Sequence, residues 1–310
     1  MTTPSPNRPH NKHRRHQRGA ALLILMLLVM LGLITLFTFR MDRKGPELNA
    51  DRKTAAALAQ AKEALLGNSA INGIATASTE NPGRLPCPNI DNSPAKEGVA
   101  ASPPSTTACP SAAPGIPANM GRFPWKTLKM ADLHDGAAER LWYVVDPNFV
   151  DTGAPMNSGI SPTLAVNGNK VVAVIIAPGP ALGALNQQRD TANQNNYRNY
   201  LESYINPVTV VLNTPSATYN DRIITITAKE LFTVVTFRMA RDLAIRNSPP
   251  YPSAFTSLST SPAVWGFNNW TPVVTYAPNM TSTGFDLTFQ NCAIIYTITG
   301  PTVTRHQSSC

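Results

Sequence analysis

The sequence predicts an α+β protein in which a long N-terminal helix packs on a domain rich in antiparallel strands. Three observations support this fold class. Strong helix formers dominate positions 20–39 and 47–66. From Trp142 onward, short runs of β-branched and aromatic residues alternate with Asn, Pro and Gly turns. One further amphipathic helix lies among those runs, so we expect one long helix, several short strands and loop insertions.

The chain begins with a basic, polar leader that ends at a glycine directly before an apolar run. The leader has five basic residues and no acid, and Gly19 and Ala20 mark its border. The uncharged segment 20–39 has about the 20 residues that a helix needs to cross a bilayer. Basic residues beside a membrane segment stay cytoplasmic, so we expect the C-terminal side to be translocated. Removing five basic residues lowers the net charge from +8 to +3, which argues against nucleic-acid binding.

The order of these parts differs from that of a secretory signal peptide, whose cleavage site follows the apolar core. Here the glycine precedes the core, and the far end, Thr38-Phe39-Arg40, has no small-residue site. This layout resembles the class III signal of type IV pilins and type II secretion pseudopilins. The resemblance implies that a prepilin peptidase cuts between Gly19 and Ala20 and methylates the new N-terminus. The alternative is an ordinary uncleaved signal anchor.

The fifth residue after that cut is Ile24, where main pilins and most pseudopilins have Glu. In those families the carboxylate is thought to pair with the N-terminal amine of the neighbouring subunit. A buried charge is costly without a partner, and a subunit at a filament tip has no subunit above it to neutralise. Minor tip pilins and the large tip pseudopilin lack this Glu. The resemblance therefore points to a tip-type or initiating subunit.

The resemblance also implies five parts along the chain. They are a basic prepilin leader (1–19), a transmembrane helix (20–39), the periplasmic half of the long helix (40–70), a Pro/Ser-rich disulfide loop (71–120) and a pilin-like globular domain with extra C-terminal elements (121–310). Gly45-Pro46 predicts a break in the helix. Helical character resumes at Glu47 and ends near Gly67. An antiparallel-sheet-rich periplasmic domain would complete this pilin-like fold.

Short apolar runs predict the strands of the globular part. We expect them at 142–145, 171–177, 208–212, 223–227, 272–276, 284–290 and 293–299. Thr227 and Glu230 have the spacing of a capping box. They predict a helix that runs to about Arg246, with an apolar stripe between Leu231 and Leu243.

The four cysteines, Cys87, Cys109, Cys292 and Cys310, would lie outside the cytoplasm, where disulfides persist. Three pairings are possible. We favour Cys87–Cys109 and Cys292–Cys310, each of which closes a loop of roughly 20 residues, worth about 3 kcal/mol in the chain-entropy model. The second pair would attach the C-terminus to the last strand, as a C-terminal disulfide commonly does in pilins. No Cys-x-x-Cys pair is present, and the spacings do not suit a zinc site.

One group of residues has the elements of general acid–base catalysis, because it places acids beside a histidine. Its members are Asp132, His134, Asp135 and Glu139. The ordinary interpretation is a turn at Asp135-Gly136 with acids on a solvated segment. The sequence has no nucleophile elbow, zinc-protease motif, phosphate loop or dinucleotide fingerprint. We therefore expect no enzymatic activity.

Two further groups are compatible with ligand binding. The segment around Asp91 has oxygen donors for calcium in Asn89, Asp91 and Asn92, but one carboxylate is few, and an Asn/Asp turn is the ordinary interpretation. Near the C-terminus, aromatic side chains in a loop could bind a surface or a sugar, or could fill a satellite core. These aromatic residues are Trp265, Phe267 and Trp270.

The sequence thus predicts a minor pilin-like or pseudopilin-like structural subunit that acts in assembly initiation or at the tip of a type IV filament or type II secretion apparatus. It needs no cofactor and no metal. It would be a single-pass protein of the bacterial inner membrane with a periplasmic C-terminal domain. Its expected partners are other pilin or pseudopilin subunits, prepilin peptidase and the inner membrane, and we expect no nucleic acid. The alternatives are a filament-displayed adhesive or ligand-binding module and a signal-anchored periplasmic enzyme.

Overall fold

The structure is a computed structural model of the chain. It describes residues 17–71, 81–102, 108–111, 117–152, 154–190, 194–206, 209–280, 283–290 and 292–306, without the side chains of 17–22, 34–45, 205, 263, 292 and 293. The chain divides into two compact units, Met1–Asp51 and Arg52–Cys310.

The described residues form two α-helices, several short helices and twelve strands. The α-helices are α1 (Gln17–Ile71) and α2 (Ala228–Arg246). The strands are β1 (Met120–Arg122), β2 (Trp142–Val145), β3 (Ala165–Val166), β4 (Asn169–Lys170), β5 (Ala173–Ala177), β6 (Tyr204–Asn206), β7 (Thr209–Val210), β8 (Arg222–Ile226), β9 (Val274–Pro278), β10 (Phe285–Phe289), β11 (Cys292–Thr299) and β12 (Thr302–His306). Short 3₁₀ helices cover Pro147–Phe149, Gly183–Leu185, Tyr197–Asn199, Phe255–Ser257 and Thr271–Val273, and a π-helical turn covers Pro262–Gly266.

The strands assemble into three four-stranded sheets. The central sheet has the order β1-β2-β5-β8, and the C-terminal sheet has the order β12-β11-β10-β9. Both are antiparallel throughout. The small sheet has the order β4-β3-β7-β6, and its β3–β7 pair is parallel. Because hairpin-like neighbours dominate, the fold belongs to the α+β class.

Strands β2 and β5 of the central sheet are buried on both faces, which explains why they consist of aliphatic and aromatic residues. Successive residues of a strand point to opposite faces. Accordingly, Tyr143 and Val145 belong to the larger hydrophobic core, whereas Trp142 and Val144 belong to a second core. The larger core also includes side chains of α1, α2 and the C-terminal sheet, and the second includes side chains of the small sheet.

The C-terminal part of α1 contributes one apolar face to the larger core. Leu58, Ala61 and Leu65 are buried at helical spacing. Pro46 lies inside α1, so the break predicted at Gly45-Pro46 is wrong. A proline in a helix interior removes one backbone hydrogen bond, and here the helix continues through it.

The predicted capping box of α2 is confirmed. The Thr227 hydroxyl accepts a hydrogen bond from Glu230 N at 3.2 Å, and the Glu230 carboxylate accepts one from Thr227 N at 2.9 Å. The helix ends at Arg246, as predicted. Four members of its apolar stripe, Leu231, Val235, Met239 and Leu243, are buried, and Val234 is partly buried against the same core. Local capping and helical periodicity therefore agree with the packing.

The predicted membrane-spanning first half of the long helix, 20–39, is wrong for the part of the chain that the structure describes. There, no helix combines the length and the apolar character that crossing a membrane requires. The predicted pilin-like fold and the predicted localisation, a single-pass inner-membrane protein with a periplasmic domain, are corrected on the same finding. What the structure has instead is an α+β fold of three sheets.

The predicted Pro/Ser-rich loop contains a segment that is part of the folded core. Residues 81–89 are all buried, and isolated bridges join Leu85 to Val150 and Asn89 to Arg122. A disulfide joins Cys87 to Cys109, which is the first of the two pairings that the sequence favours. The second pairing, Cys292–Cys310, lies outside the described residues.

Candidate functional site

A polar cleft of about 270 Å³ lies where the end of β1 and the segment 134–140, between β1 and β2, meet residues 189–190 and 194–200. We call it the arginine cleft, because three arginines line it. Its lining includes the side chains of Arg122, His134, Glu139, Arg140, Arg189 and Tyr200.

Arg122, the last residue of β1, is buried at the base of this cleft between two aromatic rings. Its guanidinium carbon lies 4.3 Å from the Trp142 ring centroid and 4.1 Å from that of Tyr200. Nη1 donates to Arg140 O at 3.1 Å, and Nη2 donates to Gln194 O at 2.8 Å. Burial lowers the pKa of Arg122 to about 10, and interactions with Tyr200 act in the opposite direction. The group therefore stays charged at neutral pH, stabilised by cation–π contacts.

The other two arginines of the cleft are held by acids and carbonyls. Arg140 Nε donates to Asp132 Oδ2 at 2.8 Å, and its Nη1 pairs with Glu97. Arg189 Nη1 donates to Gly179 O at 2.6 Å and lies 3.4 Å from Glu139 Oε1. These pairings fix the cationic groups in place and balance much of their charge.

The four residues singled out for acid–base chemistry do not form one constellation. His134 Nε2 lies 3.8 Å from Asp132 Oδ2, but that oxygen already accepts from Arg140. Asp135 is buried and accepts from the backbone N–H groups of Ala137, Glu139 and Gly179 at 2.8 to 2.9 Å. Asp135 therefore anchors a turn to the end of β5. The sequence predicted an acid on a solvated segment and did not indicate that the Asp135 side chain is buried. Among the described residues that line the cleft there is no serine, cysteine or lysine and no second histidine.

The segment considered for calcium binding is an ordinary turn with a buried amide at its base. Asn89 Nδ2 donates to the carbonyls of Asp91, Lys96 and Val99 at 2.7 to 3.1 Å. Asp91 accepts from Ser93 N at 3.0 Å. Over the described chain, no group of three or more His, Cys, Asp or Glu residues is placed to hold a metal ion.

The C-terminal aromatics contribute mainly to the core. Trp265 and Trp270 are buried, 1% and 0% exposed, and their ring centroids lie 6.4 Å apart. Trp265 Nε1 donates to Asp242 Oδ2 of α2 at 3.1 Å. Phe267 is only partly buried. The two indole rings therefore stabilise the packing of a long loop and are not presented to a ligand.

The processing residues Gly19 and Ala20 fall in the first turn of α1, but their side chains lie outside the described residues.

Further along α1 lies an exposed apolar surface. The eight consecutive side chains at 23–30, all large and apolar, are each 55 to 70% exposed. An apolar surface of this extent indicates an interaction site.

The sequence did not reveal the arginine cleft, because its parts come from segments far apart along the chain. Arg122 contacts residues 142, 194 and 200, and no spacing rule links them. No family model, no curated protein and no solved structure matches the chain.

Proposed function

We propose that the chain is a minor pilin-like or pseudopilin-like structural subunit, which acts in the initiation or at the tip of a type IV filament or type II secretion apparatus. The observation that carries the proposal is the exposed apolar segment 23–30 of α1. Its side chains are exposed all around the helix. A helix that is apolar on every side is stable when other apolar surfaces surround it.

In this proposal the N-terminal helices of other pilin-like subunits surround the segment. A single flat partner would cover one side only, whereas a bundle of helices covers all sides. Prepilin peptidase would first remove the leader at Gly19. The presence of Ile24 in place of an acid suits a subunit with no neighbour above it, because it leaves no carboxylate to neutralise.

Incorporation into filaments tests this proposal. Leu27→Lys places a charge in the exposed apolar segment, and Ile245→Lys makes the same change on α2, where Ile245 is 74% exposed. We expect sheared filament fractions to contain the wild-type chain and the Ile245 variant but to lack the Leu27 variant, at equal cellular levels. Equal amounts of all three chains in the fraction would contradict the proposal.

A filament-displayed ligand-binding module is the second candidate, and the arginine cleft is the observation that favours it. A fixed, buried guanidinium beside an aromatic ring suits ligands that carry carboxylate or hydroxyl groups. Deletion of the chain distinguishes the two functions. A normal number of filaments with lost surface binding would favour the binding module, and a loss of filaments would favour the assembly role.

A further inference from the structure

The arginine cleft contains a buried cation that forms no ion pair with the described residues. Arg122 is 7% exposed and takes part in none of their ion pairs. The charge of Glu139 acts on Arg122, but the Glu139 carboxylate lies 3.4 Å from Arg189 Nη1. A buried charge is costly when no opposite charge is paired with it, so an anion bound at Arg122 would be stabilised strongly.

The guanidinium of Arg122 also has donors to offer. It carries five N–H groups. Backbone carbonyls of Arg140 and Gln194 accept from two of them, and the side chain of Tyr200 interacts with a third. The rings of Trp142 and Tyr200 contact the guanidinium and hold it in one orientation, while Arg122 lines the cleft. A carboxylate suits such a group, because its two oxygens match two parallel N–H donors.

The charges around the cleft favour an anion with a single negative charge. The charged residues of the lining are three arginines and two acids, Glu139 and Asp190. Arg140 is paired with Asp132 and Glu97 as well. A monoanion would balance the small positive excess of the lining, whereas a phosphate dianion would be repelled by the same acids.

The rest of the lining is suited to hydroxyl groups. Asn92, Gln194, Glu139 and Asp190 have amide or carboxylate oxygens, which accept hydrogen bonds from hydroxyls. Among the described residues of the lining, Ala138 alone is aliphatic. The volume of about 270 Å³ is slightly below the ~300 Å³ at which pockets for drug-sized ligands begin. The cleft therefore suits one small polar ring.

We infer that the arginine cleft binds an acidic sugar of the hexuronate class, with the carboxylate on Arg122 and ring hydroxyls donating to Glu139 and Asp190. This binding rests on the second candidate function, the ligand-binding module, and does not require assembly into filaments. The purified chain should therefore bind the sugar by itself.

Calorimetric titration of the purified full chain with D-galacturonate, D-galactose and acetate tests this inference. Galactose has the ring hydroxyls without the carboxylate, and acetate has the carboxylate without the ring. A hydrogen bond to a charged group contributes about 1.5–3 kcal/mol, which corresponds to a change in Kd of about tenfold or more. We expect galacturonate to bind one site per chain, and galactose and acetate to bind at least about tenfold more weakly.

Two variants locate the site. Arg122→Lys keeps the charge but loses the planar fork, so it should weaken galacturonate binding about tenfold. Asp190→Ala removes an exposed acceptor of the lining, so it should weaken galacturonate binding several-fold without weakening acetate binding. Arg305→Lys on β12 is the matched control and should leave the Kd for galacturonate unchanged. The Asp190 variant keeps the test valid if the Arg122 variant does not fold.

The inference is overturned if galacturonate does not bind, or if galactose binds equally well. It is also overturned if a folded Arg122→Lys chain binds galacturonate as wild type does, or if Asp190→Ala binds it more tightly, as loss of a repelling acid near a simple anion site would cause. Failure to bind galacturonate, together with exclusion of the Leu27 variant from filaments, would overturn the sugar site and leave the assembly role in place.

Discussion

At the residue scale, Arg84 shows how one side chain can join segments that lie far apart in the sequence. Its guanidinium makes five hydrogen bonds, at 2.7 to 3.2 Å, to backbone carbonyls. The acceptors are the carbonyls of Asn148, Val150, Ala154 and Pro155. Arg84 is 3% exposed, and burial lowers its pKa against the opposing effect of Asp151. It therefore fixes the path of the chain after β2.

Arg84→Lys should destabilise the fold, because an ammonium cannot reproduce a planar fork of five donors. Several buried carbonyls would lose their partners, at a cost of about 3 kcal/mol. Urea unfolding at neutral pH measures the difference. The control is Arg305→Lys on the exposed strand β12, which should leave stability within about 0.5 kcal/mol of wild type. Equal urea midpoints for the two variants would show that the hydrogen bonds of Arg84 do not contribute to the stability of the fold.

Glu230 links the two α-helices through a pH-sensitive contact. It pairs with Lys62 of α1 and caps α2. Burial acts to raise its pKa, but the hydrogen bonds from Lys62 and Thr227 outweigh it, so the pKa lies below its usual 4.5. The pair therefore stabilises the fold above about pH 4.5, and the contribution is lost as the pH falls and Glu230 takes up a proton.

Glu230→Gln should accordingly lower stability by about 1 kcal/mol or less at pH 7, since the side chain is 41% exposed and solvent screens the pair. The difference from wild type should shrink at pH 3.5. Denaturant unfolding at both pH values measures it, with the exposed Glu63→Gln on α1 as control. A difference that stays constant between the two pH values would contradict the assigned role of the carboxylate.

At the element scale, the sequence predicted best those elements whose signals are local. The α2 helix has its cap, its apolar stripe and its end at Arg246 where the sequence placed them. Strands β2 and β5 coincide with, or lie within, their predicted apolar runs. In contrast, β1, β3, β4, β6 and β12 were not predicted, because they are short or polar and are strands only by virtue of their neighbours. The arginine cleft was not predicted either, because its residues come from segments far apart in the sequence.

The helix α1 should respond to mutation very differently along its length. Leu65 is fully buried in the larger core, whereas Leu48 is 55% exposed. Leu65→Ala should cost about 3 kcal/mol, from lost burial and a residual cavity. Leu48→Ala should stay within about 0.5 kcal/mol of wild type. Comparison of the two urea midpoints checks this, and similar losses would mean that the burial of Leu65 does not contribute.

At the scale of the whole molecule, the described residues of the unit Arg52–Cys310 form two cores on either side of the central sheet. Composition and periodicity predicted an α+β chain, and that coarse class agrees with the structure. They also predicted a membrane-spanning half-helix, which the described residues contradict. Apolar composition alone does not decide whether a helix is covered by lipid or by protein, since both environments favour the same side chains. In our proposal, partner helices cover the exposed segment 23–30.

We propose that this chain is processed and assembled as a pilin-like subunit. The most direct test is mass spectrometry of the N-terminus of the chain, isolated from cells with and without prepilin peptidase. We predict a peptide that begins at methylated Ala20 and is lost when the peptidase is absent. An intact N-terminus at Met1 or Thr2 in both backgrounds would contradict the claim.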